Sequence, residues 1–408
     1  MIPVTWGVKM KIVLVSDYLN QHRLSLCEAL AAKCESFRFV ACDSSKQEGH
    51  TETAGRDYAV GYSGEGIKTA EEYILSADAV IYGECPDRLI DIRAEKGLLC
   101  FLYSERLFKK GAWRRFMPHV KRAVTDRFVK HKNDNFYVLC ASAYLPYELS
   151  LTGFPADKCF RWGIFPKTIV YCDPGAMIGK KKENSILWAS KLSELKHPEA
   201  AIRVAKRLKS DGIAFSLDVI GGGELETRVS EMIRHDHLQD CVRLLGPMTS
   251  DEVRKNMEKN RIFLFNSDRH EGWGAVVNEA MNGGCAVIAS DAAGAPAYLI
   301  SDGTNGYGYP SGNNGDLYEK VKKLLLSKEE CARIGRNAYD TITGVWNAES
   351  AAERFIALAA DILSGGDGKD LYEEGPCSPA PLKKNQTRFR IRNNRSVQTP
   401  DNRKDGQI

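Results

Sequence analysis

Short apolar runs alternate with amphipathic segments along most of the chain. The runs have the length of buried strands and occupy residues 11–16, 37–41, 79–82, 98–103, 138–141, 159–162, 185–189, 215–220, 242–245, 262–265 and 285–289. Segments with apolar residues three and four positions apart lie between them, for example at 197–210 and 347–363. Since strands that alternate with helices build parallel sheets, the pattern predicts an α/β protein.

The alternation divides into two halves of similar size. We expect an N-terminal Rossmann-like domain over residues 10–172, a second one over residues 173–345 and a single helix at 346–365. Residues 1–9 are predicted to be an additional stretch ahead of a more natural start at Met10. Residues 366–408 are rich in glycine, asparagine, proline and basic residues, which predicts a disordered basic tail. The 408 residues suit two domains and a tail at roughly 150 residues per domain.

One stretch, residues 268–284, combines several unusual features. It reads DRHEGWGAVVNEAMNGG, and apolar runs precede and follow it, so it is the loop and helix of a βαβ unit. Glu271 lies at the end of the preceding strand, where open α/β sheets bind ligands. Glu279 is predicted about two turns into the helix, so the two carboxylates bracket the helix N-terminus across up to ~12 Å.

The N-terminus of that helix offers unpaired N–H groups and a partial positive charge. Gly272 and Gly274 allow a ligand to approach the backbone closely. A long ligand with an anionic middle and hydroxyl groups at both ends fits between Glu271 and Glu279. A nucleotide-diphosphate sugar is such a ligand.

The E-x7-E spacing of Glu271 and Glu279, followed by A-M-x-x-G, resembles the donor-site motif of the retaining glycosyltransferases of family 4. This resemblance implies the GT-B fold, in which two Rossmann-like domains face each other across a cleft and a C-terminal helix crosses back to the first. It also implies that Glu279 grips the ribose hydroxyls and that Glu271 meets the transferred sugar. The resemblance further implies that the backbone N–H groups of the donor site belong to Gly272, Trp273, Gly274 and Ala275.

Two lysines follow the first strand of the second half. The resemblance implies that Lys191 and Lys196 hold the donor diphosphate, where the family usually has an arginine and a lysine five residues apart. A cation there stabilises the charge that develops on the leaving diphosphate. Lys191 supplies a point charge where arginine would supply a planar fork. Two ordinary surface lysines are the alternative.

Two glycine-containing turns complete the predicted donor site. Gly222 and Gly223 belong to a G-G-G-E turn that resembles the family's glycine turn beside the nucleotide. Pro247 and Met248 follow the next strand, in a loop that touches the base through its backbone in the family. A purely structural turn is the alternative at Gly222 and Gly223.

The first half supplies candidate residues on the acceptor side. Glu105 and Arg106 follow the strand at 98–103, so they are expected at the cleft. Glu105 is predicted to contact the donor sugar or the acceptor hydroxyl, and Arg106 to pair with Glu105 or with phosphate; a structural ion pair is the alternative. Asn20 and His22 occupy the first loop and are predicted to face the acceptor, although packing and helix capping are common roles for such residues.

Composition restricts the classes of function. A net charge of +4 is too small to indicate a nucleic-acid-binding protein. The 12 cysteines form no C-x-x-C pair, which favours buried thiols of a cytosolic protein. No apolar run reaches ~18 residues, so no transmembrane helix is expected. No metal motif is readable, and we expect the lysines to neutralise the diphosphate without a metal cofactor.

Residues 106–132 are strongly basic, with ten lysines and arginines and one acidic residue, and aromatic residues interleave with them. This composition predicts either a solvated helical face or a peripheral contact with an anionic membrane. The segment LYSERLFKKG at 102–111 resembles a subset of bacterial transferases that build capsular or other exopolysaccharides. A glycan or lipid-linked glycan acceptor on the inner face of the cell membrane would agree with both features.

The sequence therefore predicts a retaining hexosyltransferase that moves a sugar from a UDP-sugar or GDP-sugar to an acceptor hydroxyl in cell-surface polysaccharide synthesis. Two alternatives remain. One is a catalytically weak, sugar-nucleotide-binding scaffold in a polysaccharide assembly system. The other is a GT-B sugar-nucleotide epimerase. The sugar, the base, the acceptor and the oligomeric state stay open.

Overall fold

A computed structural model describes residues 9–43 and 56–384. Within them the strands form two sheets. The first contains β1 (Lys11–Ser16), β2 (Ser36–Ala41), β3 (Ala59–Gly61), β4 (Ala79–Tyr82), β5 (Cys100–Ser104), β6 (Phe136–Cys140) and β7 (Cys159–Arg161). The second contains β8 (Ser185–Ala189), β9 (Ser216–Ile220), β10 (Val242–Gly246), β11 (Ile262–Phe265), β12 (Ala286–Ser290) and β13 (Tyr307–Tyr309). All paired strands run parallel.

Helices connect the strands. In the first domain they are α1 (Gln21–Lys33), α2 (Gly66–Ser76), α3 (Asp87–Ala94), α4 (Pro118–Arg127) and α5 (Leu145–Ser150). The linker and the second domain contain α6 (Pro174–Gly179), α7 (Pro198–Ser210), α8 (Glu226–His235), α9 (Ser250–Lys259), α10 (Val276–Asn282), α11 (Pro296–Leu299), α12 (Asn314–Leu326) and α13 (Lys328–Gly344). The last is α14 (Ala348–Leu363), which Asn347 caps by accepting the Ser350 N–H at 2.8 Å.

The apolar runs form strands because helices cover both faces of each sheet. In β1, Ile12 and Leu14 pack into one core cluster while Val13 and Val15 pack into another on the opposite face. Successive residues of a strand point to opposite faces, so a strand buried on both sides reads as a continuous apolar run. Strand β11 shows the same division between its two faces.

The strand order of each sheet creates a crevice at the carboxyl ends of its strands. The first sheet has the order β3-β2-β1-β4-β5-β6-β7 and the second the order β10-β9-β8-β11-β12-β13. In the first sheet, successive strands are therefore added on one side of β1 and on the opposite side of β4. In the second sheet the same change of direction occurs between β8 and β11. Ligands of open α/β sheets bind at the carboxyl ends of the strands at such switch points.

Helix α14 returns to the first domain. The Phe355 ring on α14 packs edge-on against Phe101 of β5, with 4.9 Å between ring centroids. Lys33 at the end of α1 forms ion pairs with Glu349 at 2.9 Å and with Glu353 at 2.8 Å. The prediction of two Rossmann-like domains with a C-terminal helix that crosses back is thus confirmed.

The segment after α14 corrects one expectation. Residues 366–384 were predicted to begin a disordered tail, but Cys377 and Ser378 are fully buried. An isolated β-bridge pairs Pro379 with Phe160 of the first domain. This part of the tail is therefore a packed segment, because a few buried residues anchor an otherwise polar stretch. The remaining tail residues, with Arg388, Arg390, Arg392 and Arg395, lie outside the described residues, as do residues 1–8.

Candidate active site

Two loops meet at the switch point of the second sheet. The loop after β8 carries Lys191 and Lys196, and the loop after β11 carries residues 266–275. The Asp268 N–H donates to the Leu195 carbonyl oxygen at 2.9 Å, which joins the two loops directly. The residues that the sequence indicated on separate elements therefore lie together at the carboxyl edge of the sheet.

Lys196 and Glu271 form an ion pair between these loops. The side chain of Lys196 is 18% exposed and that of Glu271 is 16% exposed, so the pair is largely buried but still accessible. Lys191, by contrast, is exposed and has no ion-pair partner within residues 9–43 and 56–384. One lysine of the predicted diphosphate clamp is thus held in place, and the other is free to reach a ligand.

His197 follows Lys196 directly and links its loop to the loop after β11. Its backbone is left-handed, with φ at 46°, between a 3₁₀ turn at Glu194–Lys196 and helix α7. The ring contacts Asp268 at 3.3 Å through Nε2 and Glu199 at 3.1 Å through Nδ1. Hydrogen bonds to Asp268 and then to Glu199 raise the pKa of His197 to about 9, so the ring is protonated at neutral pH.

We expect His197→Gln to destabilise the protein at pH 7, by on the order of 1 kcal/mol for this partly exposed group. The folded-state pKa of His197 lies above its ordinary value of 6.5. Its contribution is therefore complete below pH 6.5 and is lost as the pH rises through about 9. Chemical denaturation at pH 6.5 and at pH 10 tests this. An equal difference between parent and variant at both values would contradict it.

Glu279 lies in the first turn of α10, because the helix begins only at Val276. This corrects the prediction that Glu279 is two turns into the helix. Burial raises the pKa of the Glu279 carboxyl, against a smaller opposing effect of the Arg254 charge. Within the described part of the chain the carboxyl forms no hydrogen bond or ion pair. A half-buried acid without a protein partner is available to accept hydroxyl groups of a ligand.

Glu279→Gln is expected to stabilise the ligand-free protein at pH 7, with a rise in Tm on the order of 1–3 °C. A raised folded-state pKa means that ionisation of Glu279 in the fold costs free energy, and this cost is absent at pH values below its ordinary pKa of 4.5. The difference between parent and variant should therefore shrink toward pH 4. Thermal unfolding at both pH values measures it, and a lower Tm of the variant at pH 7 would contradict it.

The backbone from Gly272 to Ala275 follows β11, at the carboxyl end of the second sheet. None of its four N–H groups has a hydrogen-bond acceptor among the described residues. The carbonyl groups of Gly272 and Trp273 instead accept the N–H groups of Gly294 and Ala295, both at 2.9 Å, which fixes the loop. The Trp273 side chain is buried and donates to Asn278 at 2.9 Å, so only its backbone is available to a ligand.

Glu105 reaches across from the first domain to Gly272. A Cβ atom on Gly272 would lie 1.6 Å from Oε2 of Glu105, so only glycine permits this approach. Glu105 also forms an ion pair with Lys109 at 2.8 Å. Gly274 is equally constrained, because its φ is 96° and a Cβ would lie 2.6 Å from the Phe265 ring. The glycines of the motif therefore shape the crevice itself.

Arg106 does not take the acceptor-side position predicted for it. It is buried, and its Nη2 lies 2.8 Å from Oε1 of Glu148. Its Nη1 donates to the Ala292 carbonyl of the second domain at 3.1 Å. Oε2 of Glu148 accepts the N–H groups of Leu107 and Phe108 at 2.7 and 2.9 Å. Arg106 thus forms a structural ion pair with Glu148, and its hydrogen bond to Ala292 joins the domains. These contacts engage its guanidinium group.

The two glycine turns lie side by side. Gly222 faces Pro247, whose Cδ would be 3.8 Å from a Cβ on Gly222. Gly223 is exposed, and Pro247 is exposed beside it. Met248 is half-buried, and its sulfur accepts a hydrogen bond from Asn256 at 3.4 Å. Gly222 and Pro247 therefore lie next to each other at the ends of β9 and β10. Their contact with a nucleotide base stays a prediction.

A second crevice lies at the switch point of the first sheet. This open cavity of about 100 Å³ has Ser16, Gly83 and Tyr103 at its strand ends and an apolar wall at 162–165. Asn20 and His22 line it, as expected for the acceptor side, although Asn20 also caps α1 by accepting the Arg23 N–H at 3.1 Å. Burial, and then the Arg23 charge, lower the pKa of His22, so its ring is neutral at pH 7.

Several residues of this site were not predicted from the sequence. Asp268 lies three residues before the predicted Glu271, and His197 directly follows the predicted Lys196. This proximity in the sequence was the available signal. Glu148 carries no such signal, because it follows Arg106 by 42 residues. The wall of the first-sheet cavity at 162–165 is an ordinary apolar segment in the sequence.

The fold and the position of the site define a class of protein. Two parallel-sheet domains that face each other, with a returning C-terminal helix, form the GT-B fold. The crystal structure of Anabaena Alr3699/HepE in complex with UDP shares this fold, with a TM-score of 0.65 at 14% identity, over 87% of this chain and 100% of that chain. Residues 177–341, which include most of the second domain, match the sequence model of the family Glycosyl transferases group 1.

Curated relatives match part of the chain. The amylovoran biosynthesis glycosyltransferase AmsK of Erwinia amylovora is 30% identical over 198 residues, which are 45% of this chain and 48% of that protein. An N-acetylgalactosamine-N,N'-diacetylbacillosaminyl-diphospho-undecaprenol 4-alpha-N-acetylgalactosaminyltransferase of Campylobacter jejuni is 28% identical over 144 residues, 35% of this chain and 38% of that protein. Both matches span less than half of the relative's own length.

Proposed function

We propose that this protein transfers a sugar from a nucleotide-diphosphate sugar to an acceptor hydroxyl, with retention of configuration at the anomeric carbon. One observation carries the proposal. The Glu279 carboxyl and four backbone N–H groups, none of which has a partner within residues 9–43 and 56–384, lie with the Lys196–Glu271 ion pair at the switch point of the second sheet. Together they suit a ligand with hydroxyl groups, an anionic diphosphate and a sugar.

Each part of the donor has a partner in this proposal. The Glu279 carboxyl accepts hydrogen bonds from the ribose hydroxyls, which are strong because the acceptor is ionised. The N–H groups of 272–275 and Lys196 bind the diphosphate, and Glu271 contacts the transferred sugar. Gly222, Gly223, Pro247 and Met248 lie beside the nucleoside. UDP-sugars and GDP-sugars both fit, since no side chain in this set selects a base.

Charge develops on the diphosphate as the glycosidic bond breaks. Lys196, assisted by the exposed Lys191, stabilises that charge without a metal ion in this proposal. In the ligand-free structure Lys196 is paired with Glu271, so donor binding exchanges a carboxylate for phosphate oxygens around the same cation. The clamp residues are then in place before the reaction begins, which lowers the cost of reorganisation in the transition state.

The first domain supplies the acceptor in this account. Its cavity at the β1–β4 switch point adjoins the donor-side loop, because a Cβ on its lining residue Gly163 would lie 2.6 Å from the Trp273 ring. We propose that Glu105 orients either the donor sugar or the attacking hydroxyl group. Asn20 and His22 contribute polar groups at the cavity, and neutral His22 can accept a hydrogen bond from an acceptor.

We further propose that the acceptor is a glycan or lipid-linked glycan of bacterial cell-surface polysaccharide, such as capsule or exopolysaccharide. The relatives support this, since one is named for amylovoran biosynthesis and the other for a diphospho-undecaprenol acceptor. No helix among the described residues is long and apolar enough to cross a membrane. We propose a cytoplasmic enzyme that contacts the inner face of the membrane peripherally.

Incubation with a panel of UDP-sugars and GDP-sugars and lipid-linked acceptors tests the function. We expect one donor to yield a glycosylated acceptor whose new linkage keeps the donor's anomeric configuration, as read by NMR. An inverted linkage would contradict retention. A product that remains a nucleotide-sugar would indicate an epimerase, and donor binding without turnover on any acceptor would favour the scaffold.

A further inference from the structure

Two large apolar side chains protrude from the first domain beside the cleft. Trp113 is 62% exposed and Phe116 is 72% exposed. Both lie on the 3₁₀ turn at Ala112–Phe116, and residues three apart in a 3₁₀ helix project from the same side. The two rings therefore form one apolar ridge, which is unusual for a surface that only meets water.

The structure divides the basic residues of 106–132 into two groups. Arg106, Lys109, Arg122, Arg127 and Lys130 are paired with carboxylates. The basic residues without a carboxylate partner in the described chain are Lys110, Arg114, Arg115, Lys121 and Lys132. Four of these five, all except Lys132, lie within five residues of Trp113 or Phe116, so uncompensated positive charge is concentrated in the segment that carries the ridge.

Arg115 belongs to the ridge itself. Its guanidinium carbon lies 4.1 Å from the centre of the Phe116 ring, and its Nη1 donates to the Ala112 carbonyl at 2.8 Å. This stacking holds Phe116 outward with a cation on its face. We call Lys110, Trp113, Arg114, Arg115, Phe116 and Lys121 the ridge face.

The ridge face flanks the cleft. A Cβ atom on Gly111 would lie 3.8 Å from Nη2 of Arg269, which belongs to the loop of Glu271. Lys109, next to the ridge face, pairs with Glu105 above Gly272. A surface that binds the ridge face therefore lies at the edge of the crevice in which the proposed reaction takes place.

We propose that the ridge face docks on an anionic membrane surface, with Trp113 and Phe116 in the interfacial layer and the cations on the lipid headgroups. Aromatic rings favour the interface and uncompensated lysine and arginine favour anionic headgroups. Charge complementarity selects this partner, because the four cations of the ridge face have no carboxylate partner among the described residues. The docking assigns the peripheral membrane contact of the proposed function to particular residues. Its role, presentation of a lipid-linked acceptor to the cleft, rests on the proposed function, whereas binding to a membrane requires no nucleotide-sugar.

Sedimentation of the full chain with vesicles tests the docking. We expect binding to vesicles with about 30% anionic lipid to be at least tenfold tighter than binding to neutral vesicles. Trp113→Ser combined with Phe116→Ser should weaken it about tenfold, as should Lys110→Gln combined with Arg114→Gln and Lys121→Gln. Matched controls are Leu326→Ser, an exposed leucine of the second domain, and the triple variant Lys180→Gln, Lys182→Gln, Lys259→Gln.

A fourth variant replaces Arg388, Arg390, Arg392 and Arg395 with glutamine. The proposal is overturned if the parent binds neither kind of vesicle, if the ridge variants bind as tightly as the parent, or if only the arginine variant of the tail or a control loses binding. Stabilisation by UDP and GDP is measured in the same proteins. Because vesicle binding requires no donor, lost docking with retained nucleotide binding separates this proposal from the proposed function.

Discussion

Lys196→Ala is expected to lower kcat about 10²–10³-fold while changing donor affinity far less. In the proposed reaction Lys196 is already held by its ion pair with Glu271, so its charge is in place when the leaving diphosphate forms. An interaction that strengthens only in the transition state appears in kcat and not in binding. Steady-state kinetics with a saturating acceptor, together with direct titration of the donor, separate the two quantities.

Two variants control this experiment. Lys191→Ala removes an exposed cation that forms no ion pair in the described chain, so we expect a smaller loss of activity. Lys196→Arg keeps the charge and should retain more activity than the alanine variant. If Lys196→Ala keeps the parent kcat, or if its entire loss lies in donor affinity, the role of the cation on developing charge is refuted.

Arg106→Leu is expected to lower the free energy of unfolding by about 3–5 kcal/mol, because it leaves the buried Glu148 carboxylate without its counterion. The ion pair keeps only 5% and 6% of its side-chain exposure. The same substitution also removes the hydrogen bond to Ala292 that joins the domains. Equilibrium denaturation, followed by tryptophan fluorescence and circular dichroism, measures the loss.

An exposed pair provides the matched control for Arg106. Arg336 and Asp340 are four residues apart on α13 and about half exposed, so Arg336→Leu should change stability by less than about 1 kcal/mol. Combining Arg106→Leu with Glu148→Leu should recover part of the loss, since neither charge is then buried alone. Equal effects of Arg106→Leu and Arg336→Leu would show that the buried pair does not join the domains.

The strands were predictable where apolar runs are continuous. The bounds predicted for β1, β4, β8 and β11 agree with the structure residue for residue, because helices cover both faces of these strands and a polar residue or glycine follows each of them. Helix α10 was predicted in place, but its first turn begins later than expected, so the depth of Glu279 was wrong. Helix starts depend on the conformation of the preceding loop, here fixed by Gly294 and Ala295, which sequence periodicity does not report.

The members of the site were predictable, but their mutual contacts were not. Glu271, Lys196 and the 272–275 backbone came from the motif and its resemblance, and the structure brings them together at one switch point. Strand order creates that switch point, and it follows from pairings between strands distant in sequence. Arg106 shows the same limit: its position after β5 indicated the cleft, while Glu148 and Ala292 draw its side chain into the domain contact.

The tail illustrates a limit of composition. Residues 366–384 contain few apolar side chains, which predicted disorder, yet Cys377 and Ser378 are buried. Arg354 on α14 donates to the Glu374 and Pro376 carbonyls, so the segment is fixed through its backbone. Hydrogen bonds to backbone carbonyl groups do not depend on which side chains the segment carries, so composition does not reveal them.

Thermal stabilisation by UDP, GDP and ADP and their common sugar conjugates, compared between the parent and Glu279→Ala, tests the central claim most directly. A ligand that binds only the folded state raises its stability by mass action. We predict that one nucleotide and its sugar conjugate raise the Tm of the parent, and that Glu279→Ala binds that ligand at least tenfold more weakly. Equal stabilisation of parent and variant, or none by any of these ligands, would contradict a nucleotide-sugar site at Glu279.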